Sequence, residues 1–183
     1  MRVISGKNKG TKLYTLEGLN TRPTLDRVKE SLFNIINFDL PGCTFLDLFA
    51  GSGAIGIEAA SRGAGKVIMC EKSKDAVKII NMNLEKTRLK DSIKLFNEDF
   101  EKCISELEEK IDIVFLDPPY KSDYAYVASK LIIENDLLKE DSIIILETDS
   151  EQTVENQFEK LSLEEFDKKK YGRVHLLFYK IKK

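Results

Sequence analysis

A doubly wound α/β fold with a mostly parallel seven-stranded sheet is what this 183-residue chain predicts, and three observations carry that expectation. Short apolar runs at TFLDLF, KVIMC, IKLF, IDIVFL and SIIIL alternate with helical stretches such as SKDAVKIINMNLEKTRL and YAYVASKLIIE. Continuous apolar strands separated by helices belong to a parallel sheet buried on both faces. A glycine-rich turn, Gly51-Ser52-Gly53-Ala54-Ile55-Gly56, follows the first run directly and opens a helix. The segments LSLEEFDKKK and RVHLLFYKI flank Tyr171-Gly172, the pattern of an antiparallel pair joined by a tight turn. Any ligand is expected beyond the carboxyl ends of the strands, near the switch in strand order.

The region before the first parallel strand reads as an extension of about 40 residues. MRVISG and TKLYTL look like two short strands around the Gly6 to Gly10 turn. A helix follows Arg22-Pro23, with Thr24 as its N-cap, Asp26 in its first turn, and Leu25, Val28, Leu32, Ile35 and Ile36 along one apolar face. Pro41-Gly42 ends this extension, and residues 41–183 form the core. No repeat, low-complexity block or Pro/Gly/Ser linker divides the chain, so one domain is expected.

With 42% hydrophobic and 33% charged residues, the composition excludes collagen, a coiled coil and wholesale disorder. No apolar run approaches the ~18 residues of a membrane span, and MRVISGKNKG lacks a hydrophobic signal core. Cys43, Cys70 and Cys103 are odd in number and scattered, which argues against a disulfide framework or a CxxC site and for a reducing cytoplasm. The net charge of −2 conceals its distribution: residues 1–30 carry +4, residues 168–183 carry +7, and the remainder carries −13. If the fold joins the two basic ends, they make a face that attracts phosphate.

The chemistry lies at the strand ends. Gly51 and Gly53 permit a tight turn and close approach of backbone N–H groups to a ligand, and Gly56 permits close helix–sheet packing. Asp47 stands four residues before Gly51, where it can accept backbone bonds or face an ammonium group, and where a pyrophosphate would be repelled. Glu71, at the end of KVIMC, can accept ribose hydroxyls, and Asp99, after IKLF, can accept an adenine amino group. The most specific feature is Asp117-Pro118-Pro119-Tyr120. Its prolines fix φ and remove two donors, leaving carbonyls free as acceptors. The Asp117 carboxylate and the Pro118 carbonyl can converge on one planar NH₂ group, with the Tyr120 ring as a stacking platform. Holding both N–H bonds aims the nitrogen lone pair at an electrophile and stabilises the charge that develops on methyl transfer. Neither a metal nor a covalent nucleophile is needed, and the single His175 reads as structural.

These residues resemble class I S-adenosylmethionine-dependent methyltransferases, in which FLDLFAGSG looks like the cofactor loop and DPPY the amino-methylating motif. More narrowly, RVISGKNKG, TRPTLDRVKESLFNI and KKKYG resemble the RsmD family, bacterial enzymes that methylate N2 of guanine 966 in 16S ribosomal RNA. The resemblance implies a Rossmann-like methyltransferase fold and S-adenosylmethionine as cofactor, held by Asp47, Phe49, Gly51, Gly53, Glu71, Lys72, Asp99 and Thr24. It further implies that Asp117, Pro118 and Tyr120 position the guanine amino group. Lys7, Lys9, Arg22, Arg27, Lys29, Tyr171 and Arg173 would then form the RNA face. The expected partner is 16S ribosomal RNA in an assembled or assembling small subunit, since an extension this short is too small for a dedicated DNA-reading domain. Alternatives are a DNA adenine N6 methyltransferase, which shares DPPY, a dinucleotide oxidoreductase suggested by GxGxxG, and a non-catalytic RNA-binding assembly protein suggested by the basic ends.

Overall fold

The computed structural model describes residues 1–16, 23–119 and 122–182, with side chains in the first helix described from Asp26 onward. Six helices and seven strands alternate among these residues. They are α1 (Pro23–Ile35), β1 (Thr44–Asp47), α2 (Ala54–Ser61), β2 (Lys66–Cys70), α3 (Lys74–Thr87), β3 (Ile93–Phe96), α4 (Phe100–Ser105), β4 (Ile111–Leu116), α5 (Tyr124–Glu134), β5 (Leu138–Thr148), α6 (Glu151–Phe158), β6 (Leu163–Tyr171) and β7 (Val174–Ile181).

The strands form one sheet in the order β3-β2-β1-β4-β5-β7-β6. The first five are parallel, and β7 runs antiparallel to both β5 and β6. Strand order reverses between β1 and β4, so a crevice opens beyond their carboxyl ends, as in other doubly wound sheets. Alternate strand residues feed two cores. Phe45, Met69, Phe115 and Ile145 pack with Leu32 of α1, Ile57 of α2 and Ile80 of α3. Leu46, Ile68, Leu116 and Leu146 face Phe100 of α4, Ile132 of α5 and Phe158 of α6. This two-sided burial explains why the strands read as unbroken apolar runs.

Three expectations are corrected. The opening segments make one bridge, Arg2↔Lys12, with bonds such as Val3 N–H to the Thr11 carbonyl at 2.9 Å, and not two regular strands. The first helix starts at Pro23, so Thr24 lies inside its first turn and not ahead of it as a cap. Proline suits that position because its missing N–H has no intrahelical partner there. The closing turn is Gly172-Arg173, between the paired residues Tyr171 and Val174, with Gly172 in the left-handed region at φ 61°.

The N-terminal segment is pinned by Glu58 of α2, a carboxylate with 0% exposure. It accepts the N–H groups of Ile4 and Ser5 at 2.8 and 2.9 Å and pairs with Arg62 Nε at 2.8 Å and Lys29 Nζ at 3.1 Å. Among the described residues, no helix is long and apolar enough to cross a membrane.

Candidate active site

The Gly51 loop is built by the residues around it. Gly51 and Gly53 hold φ 56° and 78°, conformations that a side chain disfavours. A Cβ on Gly56 would come within 2.6 Å of the Met69 Cε, so this glycine lets α2 lie close against β2. Glu71 fixes the loop from the next strand: one carboxylate oxygen accepts the Gly51 N–H and the other the Ser73 N–H, both at 2.8 Å. Asp47 accepts the Gly56 N–H at 3.0 Å and is 1% exposed. Burial pushes its carboxyl up to about 7, opposed by the Gly56 bond and reinforced by the Asp117 and Glu71 charges.

That shift makes a stability prediction. An acid whose pKa is higher folded than unfolded keeps its proton to higher pH in the native state, so stability declines from the unfolded pKa, near ~4, to about 7 and is level above. Asn at position 47 can still accept the Gly56 N–H without a charge to bury. The melting temperature of Asp47→Asn relative to the unsubstituted protein should therefore rise between pH 5 and 8, reaching about 1–3 kcal/mol of added stability. Thermal melts across that range check it, and a difference independent of pH would refute it.

The same cleft collects other predicted residues. Asp99 caps α4 by accepting the Glu101 N–H at 3.2 Å, and its second oxygen takes Lys72 Nζ at 2.9 Å. That bond holds the Asp99 carboxyl below its ordinary range. Phe49 stacks on Tyr124 with centroids 6.5 Å apart and planes 5° from parallel, and Phe100 packs against both. The cleft, about 1450 Å³, exceeds the ~300–1,000 Å³ of one small-ligand pocket. Glycines near φ +60°, a carboxylate on the loop and an aromatic wall fit a nucleoside with an attached amino acid.

At the cleft's far wall, Asp117 leaves the end of β4, reached by solvent through the mouth yet walled by protein, which raises its carboxyl pKa. Among the described residues, neither its carboxylate nor the Pro118 carbonyl has a hydrogen-bond partner. Tyr120 and Arg22 lie outside the described residues, as does the Thr24 side chain.

The expected basic face assembles only in part. The β6–β7 turn meets α1 through a hydroxyl contact between Tyr171 and Ser31, which brings exposed Arg173 and exposed Arg27 to elements flanking one cleft. Lys29 is corrected: it is 2% exposed, paired with Glu58 and bonded to the Arg2 carbonyl, so it presents no charge to RNA. Lys7 and Lys9 are exposed, but their turn packs on Ser61 and Thr87 at the carboxyl ends of α2 and α3, remote from the Gly51 loop. His175 bonds Glu151 at 2.9 Å and ties β7 to α6, as a structural histidine would.

One cleft residue was missed. Glu147, on β5, is 9% exposed and lines the same wall as Asp117. Its signal was present, since SIIIL runs directly into an acid, much as the other parallel strands do.

Comparison with known proteins gives a consistent neighbourhood. The family model described as conserved hypothetical protein 95 matches residues 1–180. The chain is 38% identical to YlbH of Bacillus subtilis over 98% of both chains. It is 36% identical to ribosomal RNA small subunit methyltransferase D of Haemophilus influenzae, over 83% of this chain and 80% of that one. Among solved structures, YhhF of Escherichia coli superposes with a TM-score of 0.84 at 27% identity, covering 99% of this chain and 97% of its own.

Proposed function

The chain belongs to the RsmD family, described as conserved hypothetical protein 95, and from that premise we propose that it methylates small-subunit ribosomal RNA in the cytoplasm, on the exocyclic N2 amino group of a guanine. The observation that carries this reading is that the Gly51 loop and the unpartnered Asp117 and Pro118 acceptors line one cleft. S-adenosylmethionine, bound against Gly51, Gly53, Glu71 and Asp99, supplies the electrophilic methyl group. Asp47 offers a buried negative group near the loop, suited to the cofactor's ammonium, and Phe49 with Tyr124 offers an apolar wall.

An aromatic amino nitrogen is a poor nucleophile because its lone pair is delocalised. Asp117 and Pro118 hold its two N–H bonds, turn the lone pair toward the methyl group and stabilise the positive charge that grows on nitrogen. An Asp117 carboxyl with raised pKa is suited to taking up the proton released after transfer. The test is mass spectrometry of digested 16S RNA after incubation with S-adenosylmethionine and small subunits lacking the modification. N2-methylguanine is expected, and label appearing only in duplex DNA would overturn the RNA reading.

Arg27 and Arg173 would meet phosphate around the target loop, where backbone contacts fix register without reading sequence. Arg173→Ala should weaken RNA binding several-fold and lower the slope of log K against log salt by roughly one. Binding titrations between 50 and 200 mM salt measure both, and an unchanged slope would remove this arginine from the interface.

A further inference from the structure

We infer that Glu147 reads the Watson–Crick edge of the target base, accepting N1–H of guanine while Asp117 and the Pro118 carbonyl hold its 2-amino group. The inference rests on the guanine-methylating reading above and deepens it.

The argument starts from sheet register. β4 and β5 are parallel neighbours whose last pair is Leu116↔Leu146. Asp117 and Glu147 each stand one residue beyond it, on strands ~4.8 Å apart, and alternation turns both away from the face where Leu116 and Leu146 are buried. Both line the cleft on the α1 side. Glu147 is at least nine-tenths buried and has no hydrogen-bond partner among the described residues. Burying a carboxyl group without a donor is unfavourable. An arrangement of this kind makes sense where a ligand brings the donor.

The required ligand has a defined shape. Two carboxyl groups side by side, with a carbonyl beside one of them, ask for a run of N–H donors along one edge of a flat group. Guanine presents N1–H next to its 2-amino group. Adenine and cytosine present a lone pair next to theirs, which would face the Glu147 carboxylate and be repelled. The DPPY segment alone grips an amino group on any of the three bases, so a second acceptor is what can tell guanine apart. Burial, and after it the Asp117 charge, push the Glu147 carboxyl up, and an N–H donor from the base favours the ionised form that accepts it.

The experiment uses small subunits lacking the modification, reconstituted with guanine or 2-aminopurine at the target position. 2-Aminopurine keeps the 2-amino group but has a lone pair at N1. The unsubstituted enzyme should favour guanine by at least ~30-fold in kcat/KM. In Glu147→Gln the amide NH₂ can turn toward the N1 lone pair, so that ratio should fall at least ~10-fold, with S-adenosylmethionine affinity unchanged. Equal use of both bases by the unsubstituted enzyme overturns the inference even if the variant does not fold. An unchanged ratio in a folded, cofactor-binding Glu147→Gln overturns it as well, while leaving guanine methylation standing. No methylation of guanine by the unsubstituted enzyme removes the parent reading and this inference together.

Discussion

Replacing Asp117 with Ala is expected to lower the rate of methyl transfer by ~10²–10³-fold and to change RNA affinity by less than about twofold. The asymmetry follows from where the carboxylate sits. It lines the cleft just beyond β4 and has no partner among the described residues, so in the proposed reaction its bond to the amino group would strengthen as charge develops on nitrogen and contribute mainly at the transition state. On the proposed reading, affinity for a folded RNA would come instead from phosphate contacts at the cleft mouth. Single-turnover methylation alongside equilibrium RNA binding separates the two. Turnover within a few-fold of the unsubstituted enzyme would rule out the proposed role of Asp117.

Glu58→Ala should destabilise the protein by about 3–5 kcal/mol, the scale for breaking a buried ion pair from one side. Glu58 is fully buried and carries four interactions, two of them to backbone N–H groups of the N-terminal segment. Its removal leaves Lys29, 2% exposed, with the Arg2 carbonyl as its hydrogen-bond partner among the described residues and the Asp26 charge as its remaining electrostatic support. Burial already pulls the Lys29 pKa down, and Glu58 is the main group opposing that pull. The melting temperature should fall by about 10 °C, and pairing Lys29→Met with Glu58→Leu should restore part of it, because the double replacement removes the buried lysine charge while still leaving Arg62 without its carboxylate. A loss below about 1 kcal/mol would mean that the network is not what anchors residues 1–5.

The five parallel strands were legible because each is a local signal, a short apolar run ending at a turn residue or an acid, and strand order follows from the connections. Asp47, Glu71, Asp99 and Asp117 were legible for the same reason, standing at or just beyond strand ends, Asp47 four residues ahead of Gly51 and Asp117 directly before Pro118. Glu147 follows its apolar run in the same way, but no glycine loop or DPPY segment follows it. Glu58 was invisible: its backbone partners lie 53 and 54 residues away, and AIGIEAAS on its own reads as an ordinary helix. The same distance effect misplaced Lys29, whose helical spacing says nothing of the carboxylate across α2. For Lys7 and Lys9 the charge was readable but not the end of the sheet on which their turn would settle. The short α4 and α6, with six and eight residues, offered too few turns for a helical period to stand out.

The sheet also has two outer borders, and their makeup bears on how the molecule behaves in a crowded solution. Open backbone donors and acceptors along a border can recruit a strand from another chain and seed aggregation. At one side β3 is only four residues long and carries Lys94 in its middle. At the other, β6 shifts register between Glu165 and Asp167 and continues as Lys168-Lys169-Lys170. A bulge followed by three cations leaves little flat, uncharged edge for an incoming strand. Lys168 is further drawn inward by Glu151 and Glu155 at 2.8 and 3.2 Å. The lysine run that reads in the sequence as part of a polyanion-binding tail thus doubles as a guard against self-association.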